Sequence, residues 1–131
     1  IHPQYHYCPD GILSSVLLLK TLEEENKTLS SFVSEAPQYP IFRENLACPN
    51  EAKSKIMKKV EKVLPSLFAG IEEKSAVDGV RLTLKNGWVL IRPSGTEPII
   101  RVTAEAESEN EAEEIIGESV RLVKKLIKET A

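Results

Sequence analysis

The sequence predicts an α+β fold: an antiparallel sheet with helices on one face, in the order β-α-β-β-β-α, preceded by a separate helical segment. Three observations carry this reading. Val80, Leu82 and Leu84 alternate with Arg81, Thr83 and Lys85 just ahead of Asn86-Gly87, a strong hairpin signal. Ile100, Val102, Ala104 and Ala106 then alternate with Arg101, Thr103 and Glu105. Finally, Ala112, Ile115, Ile116, Val120, Val123, Leu126 and Ile127 recur at helical spacing.

Taken in order, residues 10–26 read as a helix. Asp10 is a natural N-cap, and Ile12, Leu13, Val16, Leu17, Leu19 and Leu22 give a broad apolar face. A shorter helix follows at 28–36, carrying Leu29, Phe32 and Val33. Pro37 and Pro40 restrict φ around Gln38-Tyr39, which sets the boundary between two units. Residues 41–47 form a candidate strand. Pro49 opens a helix over 50–64, with Ala52, Ile56, Val60 and Val63 on one face, and Pro65 stops it. Residues 67–77 fit no single element, and Asp78-Gly79 is a turn. A two-residue loop pairs Lys85 with Trp88 and Leu84 with Val89. Arg81, Thr83, Lys85, Trp88, Leu90 and Arg92 then share the face opposite Val80, Leu82, Leu84, Val89 and Ile91. The helix at 109–128 begins acidic (Glu109, Glu111, Glu113, Glu114) and ends basic (Lys124, Lys125, Lys128), complementing its dipole.

Composition narrows the function classes. The 131 residues are 41% hydrophobic and 28% charged, values of a globular chain able to bury a core. The longest apolar run, Val16-Leu17-Leu18-Leu19, is far short of the ~20 residues of a membrane span. A net charge of −3 argues against a broad nucleic-acid surface. The chain begins Ile1-His2-Pro3, without Met or a signal-peptide pattern, and so reads as a fragment or processed product. Cys8 and Cys48 read as free thiols of a reducing compartment.

One segment carries chemistry. Arg92-Pro93-Ser94-Gly95-Thr96-Glu97-Pro98 joins two strands, and Arg101 follows. Gly95 permits positive φ and close backbone approach to a ligand. Ser94 and Thr96 add hydroxyls, and the prolines stiffen both ends. On the predicted faces, Arg92 and Arg101 project together from the side without helices. Two guanidinium groups with hydroxyls and amides make a phosphate clamp. No general base, thiol or metal cluster accompanies them, so the segment suits binding and not bond breaking. The competing reading is a tight inter-strand loop whose hydroxyls satisfy local backbone, with Arg92 paired to Glu97 or Glu105.

The string from Arg92 to Pro98 with Arg101 resembles the phosphate-binding signature of the α-D-phosphohexomutases, which include phosphoglucomutase, phosphomannomutase and phosphoglucosamine mutase. Tyr7-Cys8-Pro9-Asp10-Gly11 resembles the Tyr-Cys-Arg-Asp-Gly segment late in that family's third domain, with Pro9 in place of Arg. Residues 31–45, with Gln38-Tyr39-Pro40 and Arg43-Glu44-Asn45, extend the resemblance into the fourth. It implies that 1–38 are the C-terminal part of the third, sugar-binding α/β domain and 39–131 the C-terminal phosphate-binding domain, whose fold is TATA-binding-protein-like. Arg92, Ser94, Gly95, Thr96 and Arg101 would grip the substrate phosphate that is not being transferred. The resemblance implies interconversion of hexose 1-phosphate and hexose 6-phosphate through a phosphoserine enzyme and a sugar bisphosphate. Phosphomannomutase/phosphoglucomutase stands first; the alternatives are phosphoglucosamine mutase, or a non-catalytic adaptor using its open sheet face. The phosphoserine, the Mg2+ loop and the sugar-selecting loop would lie upstream. The chain would then hold no catalytic or metal residue and be inactive alone. Its expected partners are a phosphosugar and the upstream domains, in the cytoplasm, with no nucleic acid or membrane. The 37–40 segment would be a hinge.

Weaker signals are set aside. His2, His6 and Cys8 offer too few ligands for a tetrahedral metal site. Trp88 is a packing residue before it is a sugar platform. Lys53, Lys55, Lys58, Lys59 and Lys62 read as the solvated face of their helix.

Overall fold

The computed structural model describes residues 3–5 and 7–130, so His2 and His6 lie outside the described residues. The chain divides into two compact units, Ile1–Pro37 and Gln38–Ala131.

The first unit holds helices α1 (Gly11–Glu24) and α2 (Leu29–Ser34). Asp10 caps α1 by accepting from the Leu13 amide at 2.8 Å, and Thr28 caps α2 by accepting from the Ser31 amide at 3.2 Å. Neither helix contains a buried residue, and Ile12, Val16 and Leu19 are well exposed.

The second unit runs β1 (Ile41–Ala47), α3 (Asn50–Val63), a 3₁₀ turn (Leu64–Leu67), β2 (Ile71–Ser75), β3 (Val80–Leu84), β4 (Gly87–Pro93), β5 (Ile99–Ala106) and α4 (Glu109–Lys128). The strands form one five-stranded antiparallel sheet in the order β1-β5-β4-β3-β2. The sheet therefore has one strand more than the predicted β-α-β-β-β-α order. The additional strand is β2, inside the stretch that fitted no element. Its pattern is hidden because Glu72, Glu73 and Lys74 are all exposed and the register shifts between Ile71 and Glu73. A short, charged, bulged strand is how sheets protect an open edge, and it erases the alternation that marks interior strands.

Val80, Leu82, Val89, Ile91, Ile100, Val102, Ala104 and Ala106 are buried from the sheet, together with Ile56, Val60 and Leu64 and the stripe of α4. Both helices thus cover one face, and the opposite face stays open. The hairpin turn is centred one residue earlier than expected: Leu84 pairs with Gly87 and Leu82 with Val89, leaving Lys85-Asn86 as the loop. Gly87 belongs to β4 because β5 passes so close. A Cβ there would run into the Glu105 carbonyl oxygen and stand 2.9 Å from the Ala106 Cβ. Both strand ends move by one residue, so each side chain keeps its predicted face.

Ser108 caps α4, accepting from the Glu111 amide at 3.4 Å. The Glu111 carboxylate in turn accepts from the Ser108 hydroxyl at 2.6 Å and from Asn86 Nδ2 at 2.8 Å. These bonds, the Ser108 hydroxyl first, hold the Glu111 carboxyl below the usual 4.5. A depressed carboxyl stabilises the fold above its unfolded pKa and loses that contribution as pH falls through the folded value. The melting-temperature gap between wild type and Glu111→Gln is therefore expected to be open at neutral pH and to close below 4.5. A gap that persists in acid would deny the carboxylate that role.

Candidate phosphate-binding site

The hairpin and β5 bring the predicted arginines together. Arg92 on β4 is the direct cross-strand partner of Arg101 on β5, and both side chains are 42% exposed on the open face. Like charges placed opposite one another are unfavourable without a counterion. Here each has one. Arg92 donates to Asp78 at 3.0 Å, and Arg101 donates to Glu97 at 2.5 Å. The expectation of Arg92 bonding Glu97 or Glu105 is corrected. Glu97 is four residues before Arg101 and serves it instead, and Glu105 accepts from Trp88 Nε1 at 3.0 Å. Asp78 reaches Arg92 from the 78–79 turn. That turn needs glycine at position 79, where φ is +104° and a Cβ would run into the Ile91 carbonyl oxygen.

Residues 94–98 close the end of this strand pair, and the Ser94, Glu97 and Pro98 carbonyls are engaged by the rest of the domain. The Ser94 and Glu97 carbonyls both accept from Lys53, at 2.6 and 2.5 Å. The Pro98 carbonyl accepts from the Cys48 amide at 2.8 Å, and the Ser94 amide donates to the Ile99 carbonyl at 3.0 Å. Ser94 is buried, and its hydroxyl accepts from the Glu97 amide at 3.2 Å. Ser94 therefore shapes the loop as well as offering an O–H. Gly95 and Thr96 are exposed at its tip, and among the described residues neither amide has a protein partner. Gly95 does not adopt the positive φ that the sequence suggested, and a Cβ there would meet nothing within 4 Å. Its use in this conformation is to leave the approach open. The strand pair and its loop thus offer two guanidinium groups, two unclaimed amides and the Thr96 hydroxyl. That donor set suits a dianionic tetrahedral group.

Two contributors were not legible in the sequence. Asp78 looked like a turn residue. Lys53 was grouped with the solvated lysines of its helix, yet it is buried, 8% exposed. The half-buried Trp88 ring lies under the Arg81 guanidinium, 5.1 Å from the centroid. Cys48 is buried, which pushes its thiol up from 9.0. Among the described residues no group of three or more His, Cys, Asp or Glu gathers to hold a metal. No helix among them is long and apolar enough to cross a membrane.

The fold is an α+β domain whose 94–98 loop closes the end of the β4–β5 strand pair beside Arg92 and Arg101. Residues 44–122 match the model of the phosphoglucomutase/phosphomannomutase C-terminal domain. The chain belongs to this phosphohexomutase family, as its C-terminal domain with a preceding segment. It is 47% identical over 129 residues to a probable phosphoglucosamine mutase of Methanopyrus kandleri, covering 98% of this chain and 28% of that one. It is 44% identical over 127 residues to a phosphoglucosamine mutase of Methanocaldococcus jannaschii, covering 97% and 28%. The chain therefore spans under a third of the length of these relatives. A solved phosphoglucomutase/phosphomannomutase family protein from Burkholderia thailandensis shares the fold, with a TM-score of 0.55 and 24% identity over 74% of this chain and 20% of that one.

Proposed function

We propose that the chain is the substrate-phosphate-binding portion of a full-length mutase that interconverts hexose 1-phosphate and hexose 6-phosphate. The supporting observation is the Arg92–Arg101 pair beside the unclaimed amides of Gly95 and Thr96. Arg92, Arg101, Thr96 and the loop amides hold the phosphate at the unreactive end of the sugar. Ser94 keeps the loop in shape. Binding energy from that remote group orients the reacting end for in-line transfer. The reacting phosphoserine and the Mg2+ are supplied by the upstream domains, and no step in this chain passes through them. The substrate is a hexosamine phosphate. Phosphomannomutase/phosphoglucomutase stood first in the sequence reading. The relatives at 47% and 44% identity, both named phosphoglucosamine mutases, favour the alternative.

The test is a titration of the isotope-labelled chain with glucosamine 1-phosphate, glucose 1-phosphate and inorganic phosphate, followed by backbone amide shifts. Saturable shifts confined to 94–97, weakened by salt and lost in Arg92→Ala, are expected for all three, because the clamp reads phosphate and not sugar. The sugar preference is then read in the full-length enzyme, with glucosamine 6-phosphate turned over ahead of mannose 6-phosphate. Shifts spread evenly over the chain, or none at millimolar phosphate, would remove the clamp as a site of its own.

A further inference from the structure

Lys53 lies in the first turn of α3, 41 and 44 residues before the two carbonyls it contacts. It is the one lysine of that helix that is buried; Lys55, Lys58 and Lys62 are exposed and Lys59 is half-buried. Its ammonium sits behind the loop, between the Ser94 and Glu97 carbonyls, at 2.6 and 2.5 Å. Those two carbonyls bracket Gly95 and Thr96. The Ser94 carbonyl shares its peptide plane with the Gly95 amide, so holding it orients that unclaimed donor, and holding the Glu97 carbonyl anchors the far end of the loop that carries the Thr96 amide. An ammonium carries three donors on one atom, so a single lysine can serve both carbonyls at once. Burying one is costly unless it is fully engaged. Two inward-turned carbonyls of the loop engage two of the three N–H donors of Lys53.

We propose that Lys53 is a positioning residue for the phosphate clamp: it ties down the carbonyl side of residues 94–97 so that the amide side is held ready for the anion. The proposal rests on the clamp reading above. It predicts a kinetic signature distinct from that of a lysine that merely stabilises the fold. A loop left untied must be ordered at the moment of binding, and a misplacement of order 1 Å costs up to ~100-fold in rate.

The experiment is a double-mutant cycle in the full-length mutase, with Lys53→Met, Arg92→Ala and the pair, read as kcat/KM for the hexose phosphate. Lys53→Met is expected to cost about 10- to 100-fold alone and under about threefold in the Arg92→Ala background, because the clamp it serves is already broken. Lys53→Arg, which keeps the charge and several donors, is expected to recover most of the loss. If Lys53→Met prevents folding, Lys53→Gln takes its place in the same cycle, being too short to span both carbonyls. The proposal is overturned if Arg92→Ala alone costs tenfold or more while the position-53 variant stays within threefold. It is equally overturned if the position-53 loss is the same in both backgrounds, which would mark a role in general stability. If Arg92→Ala itself costs less than threefold, the clamp reading fails first and takes the positioning role with it.

Discussion

Arg101→Ala in the full-length enzyme is expected to lower kcat/KM by roughly 10- to 150-fold. That range is the value of one charge-assisted hydrogen bond to a phosphate, about 1.5–3 kcal/mol. Most of the loss should appear with both substrate orientations. On the proposed bisphosphate mechanism, the phosphate gripped in one half-reaction is the one transferred in the other, so the same guanidinium would serve each. Arg101→Lys should recover only part of the activity, because an ammonium cannot reproduce the planar two-point contact. Steady-state kinetics with the 1-phosphate and the 6-phosphate check this. A loss in one direction only, or below threefold in both, would remove Arg101 from the clamp. The measurement has one built-in control. Glu97, freed of its partner, becomes an unpaired carboxylate at the mouth of the site, so Arg101→Ala/Glu97→Gln should bind phosphate better than Arg101→Ala alone.

Leu82→Ala is expected to damage the fold more than any substitution at the clamp. Leu82 is fully buried in β3, paired with Val89 across the hairpin and with Lys74 on the edge strand. Truncating such a side chain costs about 2–5 kcal/mol through lost burial and the cavity left behind. For a domain of this size that corresponds to a melting temperature lower by very roughly 10–30 °C. Thermal unfolding followed by circular dichroism would show it. The loss should be almost complete if the second unit is marginal, since native domains rest on only about 5–15 kcal/mol. A shift of a degree or two would mean that the sheet's centre lies elsewhere.

The interior of the fold was readable because its strands alternate cleanly and its last helix keeps a regular apolar stripe. The placement of the two arginines was readable for the same reason. Once Val89 and Ile91 face the core, Arg92 faces away, and the partner strand brings Arg101 opposite. The hairpin turn was misplaced by one residue because Gly87 looked like a turn glycine, when it is needed for the close passage of β5. The edge strand was missed because an edge is charged where an interior strand is apolar. Lys53 could not be found from composition. On a helix rich in lysine, only the carbonyls that meet it distinguish one ammonium from its neighbours, and those carbonyls are more than forty residues away. The core-facing side of α3, with Ala52, Ile56 and Val60, did give one hint: Lys53 directly follows a core-facing position where the solvated face was expected to begin.

The carboxylates of Asp78 and Glu97 have a consequence for selectivity. Each sits on the guanidinium that an incoming phosphate would use, so the resting clamp carries its own counterions and presents little net field to solution. Both pairs are more than two-fifths exposed, so neither is held strongly. A ligand therefore wins by exchange. It has to offer each arginine a better acceptor than a single carboxylate, and it has to satisfy both arginines from one group. A tetrahedral dianion, with more oxygens and more charge than one carboxylate, meets that condition best. On the proposed clamp reading, the site would in this sense be self-buffered against the common anions of its surroundings, with its discrimination set by the partners it already has.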